Sequence, residues 1–232
     1  MSGAGTPDFF YREAQRLGYV ARSAFKLLQM QKQYKLIKPS SSVLDLGCAP
    51  GAWLQVACQS LGPLKNGGIV VGIDLKKAKA PSLHCDSRVQ TICADVMNLP
   101  KDQLRALSSQ HKGFSVILSD MCPPVSGITI KDAALSAELG MQALDLAVGG
   151  AAVAQSNENI QSKGQLDSSS SGQDDNGVLL PGGNLVIKLL ESEDVQEISQ
   201  ICKPLFRKAS WLRPKATRSS SREIYLICQG LR

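Results

Sequence analysis

Four carboxylates stand where apolar runs of the sequence end. They are Asp45 in Val43-Leu-Asp45-Leu-Gly47, Asp74 in Ile69-Val-Val-Gly72-Ile-Asp74, Asp95 in Cys93-Ala94-Asp95-Val96 and Asp120 in Leu118-Ser119-Asp120-Met121. Acidic side chains at the C-terminal ends of successive parallel strands line the crevice where open α/β sheets bind ligands. Asp74, just after the second run, is placed to take two ribose hydroxyls, and Asp95 to accept from an exocyclic adenine amine. The first run leads into Gly47-Cys-Ala-Pro50-Gly51, and a helix starts near Ala52. Glycines there let backbone approach a ligand closely, and the first turn of the helix offers free N–H groups. The spacing is not GxGxxG, whose third glycine serves helix packing and whose helix points at a pyrophosphate, so a nicotinamide dinucleotide is disfavoured. Any one of these acids could merely cap a turn; four of them together with a glycine loop point to a ligand.

These residues need a scaffold. With 232 residues, 43% of them hydrophobic, the chain suits one sizeable α/β domain and excludes a wholly disordered protein. Apolar runs at Val43–Leu46, Ile69–Ile73, Val89–Cys93, Phe114–Leu118, Leu185–Leu190 and Ile224–Cys228 alternate with segments long enough for helices. That alternation predicts a mostly parallel sheet covered on both faces. Residues 1–40 read as helix ending in turn chemistry at Lys38-Pro39-Ser40. Residues 149–177, rich in Ser, Gly, Gln and Asn, predict a disordered insertion inside the single domain. No stretch reads as a membrane span or signal peptide. Seven cysteines form no CxxC pair, and His84 and His111 have no ligand spacing to them, which argues against a zinc site, a metal cofactor or a disulfide framework.

The net charge is +6, but residues 1–40 carry +5, residues 41–200 carry −6 and residues 201–232 carry +7. Basic ends around an acidic middle suggest a polyanion-binding surface built from both termini, with the middle binding something cationic. Candidate phosphate contacts are Arg12, Arg16, Arg22, Lys32 and Lys35 at one end, and Lys203, Arg207, Lys208, Arg213, Lys215, Arg218 and Arg222 at the other.

The order Arg22-Ser-Ala-Phe-Lys26-Leu, Leu44-Asp45-Leu-Gly-Cys-Ala-Pro-Gly51-Ala-Trp53, Ser119-Asp120-Met-Cys-Pro123, Pro181-Gly-Gly-Asn-Leu-Val-Ile-Lys188 and Ser219-Ser-Ser-Arg222-Glu223-Ile-Tyr225 resembles the FtsJ/RrmJ family of S-adenosylmethionine-dependent RNA ribose 2′-O-methyltransferases. The likeness runs from about residue 10 to 229, apart from 149–177. It implies a Rossmann-like class I methyltransferase fold with a seven-stranded sheet, and a catalytic tetrad at Lys26, Asp120, Lys188 and Glu223. It further implies S-adenosyl-L-methionine held at Gly51, Trp53, Asp74, Asp95 and Asp120. The chain departs from the family in having Cys122-Pro123-Pro124 for the usual Ala-Pro-Asn, and Gly51-Ala52 for a glycine pair.

For methyl transfer to a hydroxyl, a lysine base needs a pKa brought from about 10.4 to about 7 to 8, a change of about 4 kcal/mol. Burial of Lys188 beside Lys26 would act in that direction, and Asp120 and Glu223 against it. Lys188 is therefore expected to be the base or the principal orienter of the hydroxyl, with Asp120 positioning it and Lys26 and Glu223 in support. The compact length resembles members acting on a uridine of large-subunit rRNA; tRNA is the main alternative, and a small-molecule O-methyltransferase or a non-catalytic RNA-binding relative the others. A monomer without membrane association is expected. The resemblance implies a mitochondrion or other organelle, but an opening segment with Asp8 and Glu13 is unlike a transit peptide, leaving cytoplasm or nucleus as the alternative.

Overall fold

A computed structural model describes residues 8–161, 176–193 and 195–232. Seven strands, β1 (Ser42–Leu46), β2 (Ile69–Asp74), β3 (Val89–Cys93), β4 (Phe114–Ser119), β5 (Leu179–Leu190), β6 (Phe206–Leu212) and β7 (Glu223–Leu231), form one sheet in the order β3-β2-β1-β4-β5-β7-β6. β3, β2, β1, β4 and β5 run parallel, while β7 is antiparallel to both β5 and β6. The helices are α1 (Phe9–Leu17), α2 (Ala24–Tyr34), α3 (Ala52–Ser60), α4 (Lys101–Ala106), α5 (Thr129–Val148), α6 (Gly150–Gln161) and α7 (Val195–Leu205). The Rossmann-like sheet expected from the sequence is thus present, with helices on both faces.

All five residues of β1, Ser42 and Asp45 included, are buried, as befits a strand in the middle of a doubly covered sheet. Alternation along β1 sends Leu44 and Leu46 to a core shared with α5 and α7, and Val43 to a core shared with α2 and α3. The same alternation on β5 sends Ile187 and Leu189 one way and Val186 the other. Lys188, between them, therefore shares the α2–α3 face.

Residues 8–40 contain two helices rather than one. Asp8 caps α1 by accepting from the Tyr11 amide at 2.9 Å, and Gly18 ends it in the left-handed region at φ +78°. A further difference lies at Phe206–Leu212, which is none of the apolar runs of the sequence and falls in its basic C-terminal end. It is the edge strand β6, whose Arg207 and Lys208 are exposed; charges of this kind protect a sheet edge and hide its apolar alternation. The reading of 149–177 as structureless is also corrected in its first part. Residues 150–161 form α6, in which alanines favour helix and Val153 and Ser156 are buried. Residues 162–175 of that segment lie outside the described residues.

Candidate active site

β1 and β4 are neighbours, yet the chain leaves β1 toward β2 on one side and leaves β4 toward β5 on the other. This is the point at which an open α/β sheet leaves a crevice beyond its strand ends. A cleft of about 660 Å³ opens there, walled by Gly47 and Ala49 after β1, Asp74 at the end of β2, Asp95 after β3, Asp120 after β4, and Leu139 of α5. Gly47 has φ +78°, and a Cβ on it would lie 2.9 Å from the Met121 backbone, so only glycine lets the two loops meet this closely.

Asp74 accepts from the Ala49 amide at 2.9 Å through one oxygen and from the Lys76 amide at 2.8 Å through the other. Asp95 accepts from the Met97 amide at 3.0 Å and the Asn98 side-chain amide at 2.8 Å. Both acids therefore cap local turns and also line the cleft: their turns hold them in place for a ligand.

Asp45 differs from the sequence reading. It lies inside β1 rather than after it, is fully buried on the α2–α3 face, and neither carboxyl oxygen has a hydrogen-bond partner. Burial, reinforced by Asp120 and Asp74, raises its carboxyl well above the usual range. Three of the four strand-end acids thus line the cleft. Gly51 and Trp53 do not line it either. Gly51 stands at φ +110° at the head of α3, where a Cβ would lie 2.8 Å from Pro81. The Trp53 indole donates to the Ser23 carbonyl at 3.0 Å and packs 5.9 Å from the Tyr225 ring, joining α3 to the start of α2.

The four tetrad residues do come together, for reasons of register. Ser119 pairs with Ile187, so Asp120 and Lys188, each one residue on, are neighbours across β4 and β5. Lys188 in turn pairs with Tyr225, and Glu223 is two residues away on the same face of β7. Lys188 Nζ lies 3.1 Å from Asp120 Oδ1 and 3.8 Å from Glu223 Oε1, and donates to the Asp120 carbonyl at 2.5 Å. From α2, Lys26 Nζ reaches Glu223 Oε2 at 2.6 Å.

This geometry sets the sign of the electrostatic balance that the sequence left open. Burial alone would lower the Lys188 pKa, but Asp120, Cys122 and Glu223 outweigh it, and the ammonium is held above the ordinary lysine value. Lys26 is satisfied by Glu223 rather than left facing Lys188 as an uncompensated like charge. Burial alone would raise the Glu223 pKa, but Lys26 and then Lys188 bring it below the ordinary glutamate value. Lys188 is thus a charged hydrogen-bond donor in the free protein.

One residue in the site was given no role by the sequence reading. Tyr225 is fully buried and donates from its hydroxyl to Asp120 Oδ1 at 2.8 Å. Burial and the nearby Asp120 and Glu223 raise its pKa well above the usual tyrosine value, so it is a neutral donor. Its i, i+2 relation to Glu223 on a strand was the available signal.

The basic ends meet beside the tetrad. Arg22 donates to the Ala216 carbonyl at 2.6 Å, and the Lys215 amide to Gln29 Oε1 at 2.8 Å. Arg22 is also paired with Asp8, and Arg222 donates to the Glu191 carbonyl, which commits these two candidates internally. Arg12, Arg16, Lys32, Lys35, Lys203, Arg207, Lys208, Arg213, Lys215 and Arg218 are exposed.

Known proteins resemble this chain along most of its length. The chain is 34% identical over 225 residues, covering 97% of it and 96% of the relative, to ribosomal RNA large subunit methyltransferase E of Syntrophobacter fumaroxidans. It is 36% identical over 220 residues, covering 95% and 88%, to the protein of the same name from Desulfatibacillum aliphaticivorans. Its fold is shared with a Plasmodium falciparum protein described as a ribosomal RNA methyltransferase, at a TM-score of 0.65 and 24% identity, covering 92% of this chain and 98% of that one. The family model of FtsJ-like methyltransferases matches residues 19–231, and the chain belongs to that family of enzymes.

Proposed function

We propose that this methyltransferase moves a methyl group from S-adenosylmethionine to a ribose 2′-hydroxyl of RNA, at a uridine of large-subunit rRNA. The observation that carries this reading is the tetrad of Lys26–Glu223 and Lys188–Asp120 pairs, which meets an acidic cleft at Asp120. Asp74, Asp95, Asp120 and Glu138 against Lys76 give the cleft walls a negative balance that suits a cationic ligand. Asp74 is placed for ribose hydroxyls and Asp95 for an adenine amine, while Gly51 and Trp53 shape the loop and helix behind. Held there, S-adenosylmethionine would supply an electrophilic methyl on a sulfonium, whose C–S bond breaks to leave a neutral thioether.

The chain's own residues act on the hydroxyl. Lys188, kept charged, orients the 2′-oxygen and stabilises negative charge as it develops. Asp120 Oδ1 is occupied by Lys188 and Tyr225, leaving Oδ2 to take the hydroxyl proton as the new C–O bond forms. Lys26 and Glu223 keep the local charge balanced, and alignment contributes the rest. The exposed cations of the two ends would hold RNA by its phosphates.

Incubation with labelled S-adenosylmethionine and, separately, large-subunit rRNA, tRNA and a metabolite extract tests the reading. Label in rRNA is expected; label confined to tRNA moves the target, and label only in metabolites overturns the RNA reading.

A further inference from the structure

From Pro124 to Lys131 every residue is exposed, and three of them are large and apolar: Val125 at 70%, Ile128 at 61% and Ile130 at 83%. Isolated apolar side chains on a surface need no explanation. These three fall within six residues, directly after Pro123 and Pro124 of the cleft wall, and one turn before Leu135 where α5 continues that wall.

The loop is also held in a fixed shape. Asp132, itself buried, accepts from the Ser126 amide at 2.8 Å, the Ser126 hydroxyl at 2.7 Å and the Gly127 amide at 3.2 Å. The Ile128 amide donates to the Ser126 hydroxyl at 3.2 Å, and its carbonyl accepts from the Asp132 amide at 2.9 Å. These bonds fix the backbone while the apolar side chains face water. A surface already ordered loses little conformational freedom when it binds.

We propose that residues 125–130 form an apolar wedge that packs against a nucleobase flanking the methylated nucleotide and holds it out of its stack. The inference rests on the RNA reading above. A ribose hydroxyl within stacked RNA must be turned toward Asp120 and Lys188, and disturbing the stack exposes base faces to water. Apolar side chains inserted at base steps cover such faces in other nucleic-acid complexes. The basic N-terminal end also exposes Phe9 and Tyr11, but neither lines the cleft, whereas residues 125–130 follow directly on Pro123 and Pro124 of its wall. Continuity with the wall beside Asp120 places this surface next to the reacting ribose rather than at a remote site.

The test compares wild type, the triple serine variant (Val125→Ser, Ile128→Ser, Ile130→Ser) and the matching triple methionine variant on whichever RNA, rRNA or tRNA, wild type methylates. The serine variant is expected to lose about tenfold or more in kcat/KM for RNA. S-adenosylhomocysteine affinity and melting temperature should stay at wild-type values, and the methionine variant should recover most of the activity. The photo-crosslinker benzoylphenylalanine in place of Ile130 should label an RNA base next to the methylated nucleotide. Wild-type kcat/KM in the serine variant overturns the wedge. Crosslinks only to a ribosomal protein or to a second copy of the chain also overturn it, by identifying a different occupant. If wild type methylates no RNA, the RNA reading fails, and the wedge falls with it.

Discussion

Lys188 on β5 is the direct cross-strand partner of Tyr225 on β7, and both reach the same oxygen of Asp120, at 3.1 and 2.8 Å. An ammonium and a neutral phenol thus fix one carboxylate from two sides. Its second oxygen is left as the available acceptor. Tyr225→Phe keeps the ring against Trp53 and removes only the donor. A hydrogen bond to a charged group contributes about 1.5–3 kcal/mol, so kcat is expected to fall about 10- to 100-fold, with cofactor affinity unchanged. Single-turnover methylation of RNA by the variant measures this directly.

Because the carboxylates hold the Lys188 pKa up, its charge persists through the neutral and mildly alkaline range. A lysine base brought to about 7 to 8 would make kcat rise across that interval. We expect no lysine ionisation limb there, and a decline only as pH passes the ordinary lysine value. Lys188→Met should lower kcat about 100- to 10,000-fold while leaving S-adenosylhomocysteine affinity near wild type. A pH–kcat profile and a calorimetric titration separate the two roles.

Glu223 makes the opposite linkage. Its folded pKa lies below the ordinary value of 4.5, so the carboxylate contributes stability above that value, which is lost as pH falls through the lowered one. Glu223→Gln should cost about 3 kcal/mol at neutral pH, since it leaves Lys26 partly buried without its partner. That difference should shrink as pH drops below the ordinary glutamate range. Denaturant melts of both proteins at pH 7 and pH 3.5 read the change.

The sequence carried the sheet and three of the cleft acids because both depend on local pattern. Apolar runs mark buried parallel strands, and an acid directly after a run falls at the crevice. Asp45 escaped that logic: two positions upstream of Gly47 it is still inside β1, where pleat rather than position in the run decides what it faces. β6 escaped because edge-strand charges mask alternation. The tetrad was legible only through family resemblance, since Lys26 and Glu223 are 197 residues apart and only helix placement and sheet register join them. The sequence left Lys188 open between base and orienter, because the sign of its pKa shift depends on a contest between burial and neighbouring charges that only distances decide.

RNA affinity should depend strongly on salt. Each phosphate that a protein cation no longer neutralises flattens the log–log slope by about 0.7 to 0.9. Arg207→Glu with Lys208→Glu on the exposed edge strand should therefore weaken binding across RNA sequences and flatten the slope by about 1 to 2, without changing cofactor affinity. Filter binding at several salt concentrations provides both numbers.

Ribose methylation by the tetrad is read without intermediary by nucleoside mass spectrometry of large-subunit RNA. RNA from ribosomes lacking the modification is treated with S-adenosylmethionine and either wild type or Lys188→Met, then digested. Wild type is expected to yield 2′-O-methyluridine, and the variant almost none. Equal 2′-O-methyluridine from both proteins, or a methyl group found on a base instead of a ribose, would contradict it.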